Sequence, residues 1–145
     1  MAQKTVNIPR PQGPNSHVPV AHGVGRRKTA VARAWLRHGD GQITVNGKDY
    51  LIYFETEIAA GVAAIPFKIC PFGNNFNVDI NVHGGGKVAQ ANAVKLGIAR
   101  AFVSFDAQVK PVLKKHGLMT VDARKKERKK YGQKAARRKF QFVKR

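Results

Sequence analysis

Two stretches combine glycine with basic side chains at spacings that suit phosphate. The first is Gly23-Val24-Gly25-Arg26-Arg27-Lys28-Thr29. Three adjacent cations follow glycines that let a second backbone come close. A Walker-type loop needs a glycine directly before its lysine and a helix after it; here Arg27 precedes Lys28 and the downstream pattern is a strand. We read Arg26, Arg27 and Lys28 as a clamp on RNA phosphates, with a plain surface turn as the alternative. The second stretch is His83-Gly84-Gly85-Gly86-Lys87. It echoes the oxyanion loop of some esterases, but that chemistry needs a serine in a G-x-S-x-G elbow. Neither serine of the chain, Ser16 or Ser104, sits in one. Gly84, Gly85 and Gly86 instead permit a tight turn and bare the first N–H groups of a following helix, with Lys87 beside them, a setting that attracts anions. The alternative is a turn required only for helix–sheet packing.

The remaining reactive side chains do not assemble into a site. Asp40, Asp49, Glu55, Glu57, Asp79 and Asp106 are scattered, without the spacing that pairs carboxylates for metal or acid–base work. Cys70 stands alone, which excludes a disulfide framework and a cysteine-based zinc site; it reads as a core thiol. His17 and His22 lack further ligands and read as surface residues. No metal, cofactor or catalytic residue is expected.

Charge is the dominant feature. The chain of 145 residues holds 27 Lys and Arg against 8 Asp and Glu, a formal net charge of +19. Self-repulsion on that scale points to life beside a polyanion. Residues 122–145 carry 12 of the cations and only two acids, Asp122 and Glu127. These cations are Arg124, Lys125, Lys126, Arg128, Lys129, Lys130, Lys134, Arg137, Arg138, Lys139, Lys144 and Arg145. On a helical wheel the run Arg124–Lys130 points charge almost all round, with no apolar stripe, so a helix lying on a membrane is excluded. Such a segment is best satisfied by anions on several sides, as when it threads folded RNA, and is expected to be disordered until bound, with a solvated or nuclear-targeting basic tail as the alternative. Fully extended it reaches at most about 80 Å at ~3.3 Å per residue. Tyr131, Phe140 and Phe142 interrupt the charges and suit either base stacking or packing on a neighbouring protein. No apolar run is long enough to span a bilayer, and the first ten residues lack the apolar region of a secretory signal.

The elements that must position these residues follow from periodicity. Residues 1–24, with Pro9, Pro11, Pro14 and Pro19, read as an extended arm; 25–121 as a globular body; 122–145 as the basic tail. Thr29–Arg37 alternates, with Ala30, Ala32, Ala34 and Leu36 on one face and Val31, Arg33, Trp35 and Arg37 on the other. Arg33 and Arg37, flanking Trp35, offer a second RNA-contact surface, with a plain solvated strand face as the alternative. Gln42–Asn46 reads as the return strand, with Asn46-Gly47 turning again. Asp49–Ala64 reads as a broken helix stopped by Gly61 and Pro66. Phe76–His83 is a strand and Lys87–Phe105 a helix, buried through Val88, Ala91, Val94, Ile98, Ala101, Phe102 and Phe105. Asp106–His116 is a shorter helix with Asp106 as N-cap and Gly117 past its end, or, given Pro111, one that begins nearer Lys110. Leu118–Val121 is a candidate last strand. This mixed order predicts an α+β two-layer sandwich with helices on one sheet face.

Three stretches now make the chain recognisable: Gly25–Arg33 with Ile43-Thr44-Val45-Asn46-Gly47; Gly84-Gly85-Gly86 with Gln90, Ala93 and Gly97–Ala101; and Asp122–Arg145, closing on Gln141-Phe142-Val143-Lys144-Arg145. In these the chain resembles the ninth-protein family of the small ribosomal subunit, in its bacterial form. The resemblance implies a mixed sheet with a left-handed βαβ crossover, where handedness rules alone give the other hand. It implies a cytoplasmic, non-enzymatic ribosomal protein in the head of the small subunit, bound to the 3′ major domain of small-subunit ribosomal RNA beside other head proteins. It also implies a tail that runs through ribosomal RNA until Arg145, with Lys144 beside it, meets the anticodon stem-loop of peptidyl-site transfer RNA. No DNA or membrane partner is implied. The chain departs from the family pattern at Thr120-Val121-Asp122-Ala123, at Lys139-Phe140 and at Val143, and Tyr50–Asn75 matches it weakly.

Overall fold

Alternation of apolar side chains builds one half-covered sheet. The computed structural model describes residues 18–141, so His17, Phe142, Lys144, Arg145 and most of the N-terminal arm lie outside the described residues. Strands β1 (Ala21–Arg27) and β2 (Ala30–His38) form an antiparallel hairpin, paired from Ala21 with Leu36 to Arg27 with Ala30. Its tip is Lys28-Thr29, with Lys28 in the left-handed region at φ 54°. Strands β3 (Ile43–Val45) and β4 (Lys48–Asp49) form a second, shorter hairpin. Strand β5 (Phe76–His83) completes a mixed five-stranded sheet of order β1-β2-β5-β3-β4. It runs antiparallel to β2 and parallel to β3. The chain between β3 and β5 is therefore a βαβ-type crossover. It passes through α1 (Tyr50–Phe54) and α2 (Glu57–Ile69).

One face of this sheet is dry. Ala30, Ala32, Ala34 and Leu36 of β2 and Phe76, Val78, Ile80 and Val82 of β5 are buried. The long helix α3 (Lys87–Phe105) lies across β1 and β2 on that face, with α2 beside it. A short α4 (Lys110–Lys115) follows a one-turn 3₁₀ segment, Ala107–Val109, that Asp106 caps by accepting a 2.8 Å bond from Gln108 N–H. Phe67, Phe72, Phe76, Phe102 and Phe105 fill one end of the core with edge-to-face contacts at centroid separations of 4.8–6.1 Å. Cys70 is buried near this end; desolvation, then the Asp106 carboxylate, push its thiol up to about 11. This is the α+β sandwich that the sequence predicts.

Five details differ from the sequence reading. The body starts before residue 25, because β1 begins at Ala21 and Val20 N–H already donates to Leu36 C=O at 2.7 Å. The segment after the Gly39 turn does not return against β2. The eight-residue β5 takes that edge, and the Asn77 side chain pins the turn by accepting from Asp40 and Gln42 N–H, both at 2.9 Å. Gly61 and Pro66 do not stop the helix; both lie inside α2, whose buried Ala59, Ala60, Ala63 and Ala64 outweigh their poor propensity. The break falls instead at Glu55, in the left-handed region at φ 61°. Leu118–Val121 forms no strand: buried Leu118 donates to Leu113 C=O at 3.0 Å and closes α4. Val88 of α3 is exposed, the inward positions being Ala89, Ala91, Ala93, Val94, Leu96, Gly97, Ile98, Ala99, Ala101 and Phe102.

Candidate nucleic-acid interface

The glycines of the first basic stretch have a structural use. A Cβ on Gly25 would stand 1.8 Å from Ala93 O, and one on Gly23 would stand 2.2 Å from Gly97 O. The backbone that approaches them is the chain's own helix α3, lying on a strand face bare of side chains. Arg100 reinforces this seam by donating to Val24 C=O at 2.7 Å. Gly23 and Gly25 are thus packing residues, and the cations after them are what the strand delivers to the hairpin tip.

The second glycine stretch comes to the same tip. Gly84, at φ 74°, lies so close that a Cβ there would stand 2.4 Å from Thr29 O. Gly85, at φ 66°, rests on Ala30. Gly86, by contrast, faces open space and is the N-cap of the 19-residue α3, with no side chain capping the first turn. Exposed helix N–H groups carry a partial positive charge and accept an anion. The turn is braced from behind. Gln90 donates to Gly84 C=O at 3.2 Å and accepts from the Tyr53 hydroxyl at 3.0 Å. Asn46 pairs its side-chain amide with both backbone groups of Val82, each at 2.9 Å. Sequence reasoning assigned no role to Tyr53; the only signal was its place among aromatics in a segment of weak periodicity.

The predicted cations divide into partnered and unpartnered groups. Lys87 stays exposed but is partnered, donating to Tyr53 C=O at 2.6 Å, lying 4.0 Å from the Tyr53 ring centroid and 3.5 Å from Glu55. Arg37 pairs with Asp79 at 2.9 Å on the open sheet face. Arg27 is turned toward the start of the tail, bonded to Asp122 and Arg124. The side chains of Arg26, Lys28 and Arg33 make no hydrogen bond or ion pair among the described residues. Arg26 and Arg33 are exposed; Arg26 lies opposite Val31, while the half-buried Trp35 lies opposite His22, which approaches it at 5.7 Å between ring centroids. A cavity of about 150 Å³ opens between the hairpin and the tail's root, with Arg26, Lys95, Asn92 and Thr120 on its walls.

The tail has neither helix nor strand from Met119 to Gln141, consistent with a charge pattern that offers no apolar face. Its two acids are both engaged. Asp122 accepts a two-pronged bond from Arg124, at 3.0 and 2.8 Å, and hydrogen bonds from the Arg124 side chain and backbone hold its carboxyl well below the usual carboxylate range. Glu127 accepts from Arg137, ten residues on, and lies 4.0 Å from Lys130. Lys134 N–H donates to Arg138 C=O at 2.8 Å, and its ammonium lies 5.7 Å from the Phe140 ring. Lys125, Lys126, Arg128, Lys129 and Lys139 are exposed, as is Tyr131.

A small α+β body that carries a long cationic peptide from one end of a half-covered sheet has the make-up of a protein that lives beside a polyanion. Comparison with known proteins narrows the class. The sequence profile described as Ribosomal protein S9/S16 matches residues 25–145. A protein of Cytophaga hutchinsonii named small ribosomal subunit protein uS9 is 47% identical over 126 residues, covering 87% of this chain and 98% of its own length. The proteins of the same name from Christiangramia forsetii and Thermotoga neapolitana are each 50% identical, over 126 and 127 residues, covering 98% and 95% of their own lengths. The chain belongs to the ribosomal protein S9/S16 family, among the small-subunit proteins uS9, and is a structural constituent rather than an enzyme. No helix among the described residues is long and apolar enough to cross a membrane.

Proposed function

We propose that this protein binds small-subunit ribosomal RNA in the head of the subunit, at the 3′ major domain, and extends its basic tail toward the anticodon stem-loop of peptidyl-site transfer RNA. One observation carries the reading: the hairpin tip, the glycine turn and the root of the tail meet at one end of the sheet. Arg26, Lys28, the open N-terminus of α3 and the tail cations then form one surface for phosphate. Each neutralised phosphate releases counterions, so affinity falls steeply with salt. With 6–10 phosphate contacts the loss between 50 and 200 mM salt is on the order of 10³–10⁵ by the duplex-DNA relation. Arginine in the tail adds orientation, since its planar fork can grip a phosphate through two bonds. Lys144 and Arg145 are assigned to the transfer RNA backbone, following the family resemblance of the closing residues. Neighbouring head proteins of a cytoplasmic ribosome complete the partner set, and neither a cofactor nor DNA has a role.

Sucrose-gradient sedimentation of lysate tests the reading. Co-migration with small subunits, lost in high salt, is the expected result; a chromatin or membrane fraction overturns it. Deleting Lys144 and Arg145 is expected to leave subunits assembled with weakened peptidyl-site transfer RNA binding. Unaltered transfer RNA affinity would refute the assignment of the tip.

A further inference from the structure

Arg27 stands apart from its neighbours in the basic stretch. Its side chain is 17% exposed, whereas Arg26 and Lys28 on either side are exposed. One terminal nitrogen, Nη1, donates to Asp122 C=O at 3.1 Å and to Arg124 C=O at 2.6 Å. The other, Nη2, meets the Asp122 carboxylate at 2.8 Å. The three acceptors all belong to the first residues of the tail, 95 and 97 positions along the chain. We propose that Arg27 is a positioning residue that roots the tail on the hairpin tip, and is not itself an RNA ligand.

Two physical points support this assignment. A guanidinium is a rigid fork of donors, and spanning two carbonyls and a carboxylate is work that a lysine ammonium on its flexible stem does not reproduce. An acid at the start of a polycationic segment also weakens phosphate binding unless it has another use. Asp122 has one, accepting from Arg27 on the body and Arg124 on the tail together. Fixing the root sets the direction in which the tail leaves and raises its effective concentration beside the tip. The RNA consequence rests on the function proposed above; the rooting itself does not.

The test uses the full-length protein and the variants R27Q, R27K, D122N and R27Q/D122N. Without RNA, backbone amide order parameters at residues 122–125 are expected to fall from about 0.85 to below about 0.6 in R27Q and R27K, while those of β2, β5 and α3 stay unchanged. With small-subunit ribosomal RNA, D122N is expected to bind about fivefold more weakly although it loses a negative charge. R27K is expected to match R27Q, and the double variant to lose no more than either single one. Unchanged order parameters in R27Q would overturn the proposal. So would tighter binding by D122N, or wild-type affinity in R27K, since those are the results for a simple phosphate contact at Arg27. If no form binds ribosomal RNA, the proposed function fails, and the order parameters still decide the rooting.

Discussion

Gly23-Val24-Gly25 and Gly84-Gly85-Gly86 look alike in one dimension, each a run of small residues beside cations, yet the molecule uses them differently. The first is spent entirely inside, where β1 offers bare backbone and α3 lies on it. The second is divided: Gly84 and Gly85 turn the chain against Thr29 and Ala30, and only Gly86 opens outward at the start of a helix. A glycine permits close approach, but what approaches is set by the tertiary structure. In the first run it is the protein itself; in the second, one position in three is left for a ligand.

Substitutions with alanine break this comparison in graded steps. Gly25→Ala has the largest expected effect, a loss of roughly 3 kcal/mol, because the methyl meets helix backbone that has no rotamer to shift; urea unfolding measures it, and a loss under half that size would mean the seam can open. Gly84→Ala comes next, at about 2 kcal/mol, from a left-handed φ combined with a close carbonyl. Lys28→Gly is expected to gain about 0.5 kcal/mol, by relieving a left-handed lysine. It should also reduce the slope of log affinity for ribosomal RNA against log salt by about 1, as loss of one phosphate contact requires. Gly86→Ala is expected to cost only about 0.5 kcal/mol, the difference between glycine and alanine at an N-cap. A large loss there would place Gly86 with the packing glycines instead of the open ones.

Much of the fold was legible because its main elements have clean periods. Strand β5 and helix α3 match their predicted ranges residue for residue, and the buried and outward faces of β2 are as its alternation requires. Strand β1 was hidden because Gly23 and Gly25 erase the apolar signal; their burial comes from α3, which no local pattern can announce. The sheet order was hidden for a related reason: β3, with three residues, cannot compete for β2 against the longer β5. The candidate interface was legible in composition and less so in detail. Arg26, Lys28 and Gly86 face outward as the phosphate reading needs, whereas Lys87 and Arg37 are held by Tyr53, Glu55 and Asp79. Charge alone does not say which cations already have a partner inside the fold; that depends on where acids and carbonyls distant in sequence come to lie.

The seam between β1 and α3 also bears on how the molecule is made. Arg100 and the Val24 carbonyl it grips are 76 residues apart. A ribosome releases the chain from its N-terminus, so the hairpin emerges well before the helix that covers its glycine face. Until then β1 has no side chains at Gly23 and Gly25 with which to hold itself in place. The nascent hairpin must wait for α3, and the cationic tail, synthesised after the body, emerges onto a fold already able to receive it.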